Sequence, residues 1–149
     1  MTELEAARYR IPFAITHAMR YAGHLDLLRA WERTLRRAEL PLAYTQGFHA
    51  HPRIQIAAAL PLGYTAAAEL MELWLEVDLP SDALEARLGT ALPPGLRVRR
   101  IERMPPGKTH FEQKLLAGEY RGVAVVGGLP TDLRERVQRV LAAESLPRE

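Results

Sequence analysis

The spacing of apolar and polar positions changes period several times along the chain. Residues 9–15 alternate loosely and are rich in Tyr, Ile and Phe, which predicts a first strand, with Pro12 placing it at an edge or on a bulge. Gly23 breaks the pattern. Over residues 24–38 the period becomes helical: Leu27, Leu28, Trp31, Leu35 and Ala38 fall on one stripe, while Arg29, Arg33, Arg36 and Arg37 lie mostly off it. Asp26 in the first turn and Arg36 and Arg37 in the last suit the helix dipole, and Pro41 ends the helix. Residues 45–52 have turn chemistry and no period, so they read as a loop.

Residues 53–60 read as a strand and Pro61-Leu62-Gly63 as a turn. Residues 69–78 alternate cleanly, with Met71, Leu73, Leu75 and Val77 facing one way and Glu72, Trp74, Glu76 and Asp78 the other. That predicts a half-buried strand whose carboxylates form an ordinary solvated face. Ser81 is the expected N-cap of a helix reaching Ala91, with Leu84, Leu88 and Leu92 spaced at four. Pro93-Pro94-Gly95 stops it, and residues 96–104 read as a further strand.

The order is β-α-β-β-α-β over residues 1–104, an α+β chain of the ferredoxin-like, split βαβ kind. Two helices on one face of such a sheet leave the other face open. Residues 105–115, opening on Pro105-Pro106-Gly107-Lys108, read as a linker. Beyond them, residues 116–126 suggest a strand and residues 131–143 a helix with Leu133, Val137, Val140 and Leu141 on its apolar side. Residues 116–149 are thus a partial second β-α unit. It cannot bury its own faces, so it is expected either to dock or to be truncated.

Composition narrows the chemistry. The 149 residues include no cysteine, which removes disulfides, thiolate catalysis and iron–sulfur clusters held by this chain. Apolar residues are 48% and charged residues 26%, ordinary for a globular protein. The apolar run at 56–62 is far short of the ~20 residues of a membrane span, and no apolar signal core opens the chain, so a cytoplasmic protein without a membrane role is expected. The net charge of +2 conceals a layout: residues 20–53 carry net +3, residues 69–87 net −5 and residues 97–108 net +4. If the basic segments meet in space, they form a patch suited to phosphates.

Two motifs can carry chemistry. Gly23-His24-Leu25-Asp26 opens the first helix, where free N–H groups favour an anion and His24 can meet phosphate or move a proton. The plainer reading is that Asp26 caps the helix and His24 packs locally. In Gly47-Phe48-His49-Ala50-His51-Pro52, Gly47 allows close approach, Phe48 offers a stacking face, and His51 with Arg53 donates hydrogen bonds to phosphate or base edges. Two histidines do not make a metal site, and no metal, cofactor or catalytic residue is assigned. Trp31 belongs to the helix stripe and reads as core. Trp74, among carboxylates, suits a protein contact or cover from the C-terminal piece.

Residues 23–63, with His24-Leu25-Asp26, the arginine-bearing helix, Leu40-Pro41-Leu42-Ala43-Tyr44, Gly47-Phe48, His51-Pro52 and Leu60-Pro61-Leu62-Gly63, resemble the radical-SAM-linked protein family. The likeness continues more weakly over residues 8–126. Members usually carry serine where Gly23 stands and Asn-Pro in place of His49-Ala50, so His24, Asp26 and His51 are the positions that carry over. The resemblance implies a helper found beside, or fused to, a cobalamin-type radical SAM protein, with further basic sequence and a strand beyond residue 149. Its usual neighbourhood of ribonuclease and ribosomal genes implies RNA as a client. The expected function is therefore a non-catalytic accessory module that binds RNA or another anion through His24, Asp26, Arg29, Arg33, Phe48, His51 and Arg53, grouped at one end of the sheet. The alternatives are a small RNA-cleaving or acid–base hydrolase using His24 and His51, and a pure protein-interaction module.

Overall fold

A computed structural model describes residues 6–106, 115–123 and 127–144. The chain forms two compact units, Met1–Leu116 and Ala117–Glu149. The first is mixed α+β: β1 (Ala7–Ile15), α1 (His24–Arg37), β2 (Ile54–Ile56), β3 (Ala66–Leu75), α2 (Ser81–Ala91), β4 (Leu96–Val98) and β5 (Glu102–Arg103). The sheet runs β2-β3-β1-β4, with β5 also on β1, and every pair is antiparallel. No helix among the described residues is long and apolar enough to cross a membrane.

One face of the sheet carries Tyr9, Ile11, Phe13 and Ile15 from β1 and Met71, Leu73 and Leu75 from β3, all buried. They share one core with Leu27, Trp31 and Leu35 of α1 and Leu84 and Leu88 of α2. Trp31 meets Phe13 edge-on, with centroids 5.1 Å apart at 78°. The helix predicted over 24–38 forms as His24–Arg37, with Ala38 as its C-cap. From its last turn, Arg37 Nε donates to the carbonyl of Ala91 at the end of α2 (3.1 Å), a favourable place for a cation. The cap expected at Ser81 shifts by one residue. Pro80 is the extended N-cap, its carbonyl takes the Leu84 N–H at 3.1 Å, and Ser81 is already helical.

Two strand expectations are corrected, and of the two readings of Pro12, edge or bulge, the bulge holds. β1 is central and not an edge, although Pro12 lies in its middle, paired with Leu70. The proline is tolerated because its missing N–H faces the β4–β5 side, where the strand expected over 96–104 breaks in two. Across that break Arg99 N–H donates to the Pro12 carbonyl at 2.8 Å. A bulge interrupts the β1–β3 register next to it, between Phe13 and Ile15. The strand expected over 53–60 shrinks to Ile54–Ile56.

The face expected to be open is closed at its middle. Glu72 is fully buried there, with Arg8, Pro12 and Ala14 also buried. Arg10 Nη2 sits 2.8 Å and Nε 3.2 Å from Glu72 Oε1, and Arg8 Nη1 lies 3.9 Å from Oε2. Glu72 is therefore the acceptor of an internal ion cluster and no part of a solvated face.

In the second unit, α3 (Leu133–Ala142) follows Asp132, whose carboxylate accepts from Arg136 Nε at 2.8 Å. Its expected apolar side is exposed at Val137, Val140 and Leu141. The strand expected over 116–126 is absent from the described residues of that stretch, 116–123, which pair with no other strand; residues 124–126 lie outside the described ones, as do Gly107 and Lys108 of the expected linker.

Candidate functional site

The sequence-predicted residues divide between two ends of the sheet. α1 begins where β1 ends: His24 lines a recess with Ile15, Arg20, Leu27, Pro61 and Tyr64. α1 then runs 14 residues, about 21 Å, toward the other end. There the chain joins β3, with Leu42 opposite Leu75 and the Ala43 N–H on the Trp74 carbonyl at 2.9 Å. Because β1 spans about 25 Å between these ends, His24 and His51 cannot share one phosphate. The expected grouping of His24 with Phe48, His51 and Arg53 does not form.

At the β3 end, residues 44–52 make a protruding hairpin. Tyr44 pairs with Pro52, Thr45 N–H donates to the His51 carbonyl (2.8 Å), and His51 N–H donates to Thr45 Oγ1 (3.0 Å). Gly47 supplies the turn at φ +120°, a conformation that side-chain-bearing residues rarely adopt. Phe48 stands entirely in solvent, and His49, His51 and Arg53 are exposed beside it. At the root, the Arg53 guanidinium stacks on the half-buried Trp74 ring, 5.1 Å from its centroid. Trp74 thus serves as a platform for an arginine, a role its carboxylate neighbours in sequence concealed.

Arg29, Arg33 and Arg36 are exposed at spacings of four and three, so they share the outward face of α1. Asp26 is exposed and 3.5 Å from Arg29 Nη1. It does not cap the helix: Gly23 is the N-cap, with no side-chain cap, and its carbonyl accepts the Leu27 N–H at 2.9 Å. His24 is half-buried, and its Nδ1 is buried with no hydrogen-bond partner among the described residues. The recess it lines encloses ≈10 Å³, space for a water-sized group and not for a substrate. Among the described residues no three His, Asp or Glu side chains gather as a metal site.

A titratable group lies outside the predicted set. The buried Tyr9 phenol donates to the Asp78 carboxylate, accepts the Leu79 N–H at 2.8 Å, and lies under the Arg103 guanidinium, which donates to Asp78 at 2.8 Å. Burial first, then the bond to Asp78, raises the Tyr9 pKa, while the bond from Arg103 and then that from Tyr9 lower the Asp78 pKa. An open recess of ≈390 Å³ lined by Asp78, Leu79, Pro80, Ser81 and Arg103 adjoins them. Because folding favours the neutral phenol, its contribution is complete below pH ~10 and is lost as pH climbs through the raised folded value. The Tyr9→Phe variant is expected to show a flatter fall of thermal midpoint above pH ~10 than the parent chain. Two parallel alkaline limbs would refute this assignment. For Asp78 the sign is opposite, its contribution being present above pH ~4 and lost in acid.

The chain matches, over residues 8–149, a family model described as an uncharacterized protein conserved in bacteria (DUF2344). No curated protein matches it.

Proposed function

The chain belongs to the DUF2344 family, whose description assigns no reaction, and from that premise we propose that it is a non-catalytic binding module for a polyanion, with RNA as the ligand, acting beside a radical SAM enzyme in the cytoplasm. The radical SAM setting rests on the likeness of residues 23–63. The first unit is read as ferredoxin-like because the order β2-β3-β1-β4, antiparallel throughout, is what two interleaved split βαβ units give.

The observation that carries the binding role is Phe48. A phenylalanine held wholly in water forgoes about 1.5–3 kcal/mol of burial, which a stacked base restores. His51 and Arg53 stand beside it as donors, and Arg29, Arg33 and Arg36 give the outward face of α1 three cations for successive phosphates. Base stacking at Phe48 and phosphate contact along α1 together describe single-stranded RNA better than a rigid duplex.

Titration of a labelled single-stranded RNA at several salt concentrations tests this. Phe48→Ala is expected to weaken binding about tenfold with little change in salt slope. Arg33→Ala is expected to reduce that slope by about one. Absence of binding at low salt, or binding indifferent to both changes, would remove the RNA reading.

A further inference from the structure

We propose that the opposite end of the sheet, where α1 begins, is a docking surface for an acidic, apolar segment of a protein partner. Four large apolar side chains stand exposed there: Tyr21 at 70%, Leu25 at 65%, Leu62 at 64% and Tyr64 at 48%. They come from segments that adjoin one another. A Cβ on Gly63 would lie 3.7 Å from the Tyr21 ring, Tyr64 and His24 line one recess, and Leu25 follows His24 in the first turn of α1.

The patch is built, not frayed. Gly63 N–H donates to the Arg20 carbonyl at 2.7 Å, tying the two loops that carry Tyr21, Leu62 and Tyr64. Thr16 N–H donates to the Gly95 carbonyl at 2.9 Å, and Gly95 lies so close to Met19 that a Cβ there would come within 2.5 Å of its Cγ. A surface held this way loses little conformational freedom on binding.

Its charge specifies the partner. Arg20 lies over the Tyr21 ring at 4.7 Å and 3.0 Å from His17 Nδ1, and the N-terminus of α1 adds its partial positive charge without a side-chain cap. Asp26, the acid of this turn, is engaged by Arg29. Leucine and tyrosine anchors beside the Arg20 guanidinium and the positive end of α1 fit a segment that alternates leucine with aspartate or glutamate. Leu25 and Leu62 offer no stacking face to a base, which sets this end apart from the hairpin. A second copy is a poorer occupant: its exposed acidic, apolar stretch Glu76-Val77-Asp78 has Asp78 already engaged by Arg103 and Tyr9, and α3 pairs its exposed apolar residues with Arg134, Arg136 and Arg139.

The probe is the peptide acetyl-Glu-Leu-Asp-Glu-Leu-Leu-Glu-amide, titrated into the full chain and followed by amide NMR, with a counterpart bearing lysine at every acidic position. The acidic peptide is expected to shift the amides of His24, Leu25, Gly63 and Tyr64 saturably, and the lysine peptide to leave them in place. The doubly substituted Tyr21→Ser, Leu25→Ser chain, changed only at exposed positions, is expected to bind the acidic peptide about tenfold more weakly while keeping its thermal midpoint and its affinity for RNA. Equal response to both peptides, shifts confined to residues 45–52, or no shift up to the solubility limit overturns the proposal. Concentration-dependent shifts of the same amides without peptide overturn it in favour of self-association. Loss of RNA binding in Phe48→Ala leaves this proposal standing, so the two readings fail separately.

Discussion

Glu72→Ala is expected to lower folding stability by about 3–5 kcal/mol, the usual consequence of removing one partner from a buried ionic cluster. The carboxylate is fully buried and accepts from both Nε and Nη2 of Arg10, with Arg8 Nη1 facing its second oxygen. Taking it away leaves the guanidinium groups of Arg8, 7% exposed, and Arg10, 27% exposed, without their shared carboxylate. Glu72→Gln, which preserves shape and one acceptor but not charge, is expected to lose less. Urea denaturation with an unchanged m-value measures both. A loss below about 1 kcal/mol for the alanine variant would mean that the cluster is hydrated and carries no more weight than a surface pair.

The second large effect is at Trp31. Its side chain is completely buried between the helices and the sheet, edge-on to Phe13. Trp31→Ala is expected to cost about 3–5 kcal/mol, from lost burial and from a cavity that the packed core closes only in part. Trp31→Phe is expected to cost much less than its volume change alone implies. The indole Nε1 is buried with no hydrogen-bond partner among the described residues, and phenylalanine removes that unsatisfied donor. Denaturation midpoints of the two variants decide the matter; equal losses would show that the indole N–H is satisfied in solution.

The parts of the fold that could be read from sequence were those where one period has one physical cause. The stripe through Leu27, Trp31 and Leu35 marks α1 because a helix on a sheet buries a single face, and Pro41 stops it. β3 was legible through Leu75 for the same reason. The alternation of Met71 and Leu73 with Glu72 says which side meets the helices, but not whether the other side is wet. Glu72 was misread on that account, since a buried carboxylate beside Arg10 and a solvated one have the same local pattern.

The candidate site failed at a larger scale. Residues 23–63 form a continuous motif in sequence, yet α1 carries the chain from one end of the sheet to the other within it. His24 and Leu60-Pro61 are brought together at one end, whereas Phe48, His51 and Arg53 gather at the other. Adjacency along the chain gave no measure of that separation, and the helix length did. The exposed quartet Tyr21, Leu25, Leu62 and Tyr64 went unrecognised because its members come from two loops and a helix start, with no period to join them.

Pro12 has a mechanical consequence. β1 is laddered to β3 from Ala7 to Ile15 with a bulge after Phe13, while on its other side, among the described residues, two short stretches, Leu96–Val98 and Glu102–Arg103, flank the single bond from Arg99 N–H to the Pro12 carbonyl. A ladder made of short stretches opens in steps, each releasing few hydrogen bonds, while the longer one on β3 opens only with the core. Tension transmitted through the chain beyond residue 106 arrives at the divided side. The sheet therefore has a yielding margin and a holding margin, and a pull from the C-terminal direction loads the Glu102–Arg103 stretch before it reaches Ile101 and Leu96, which belong to the core around Trp31.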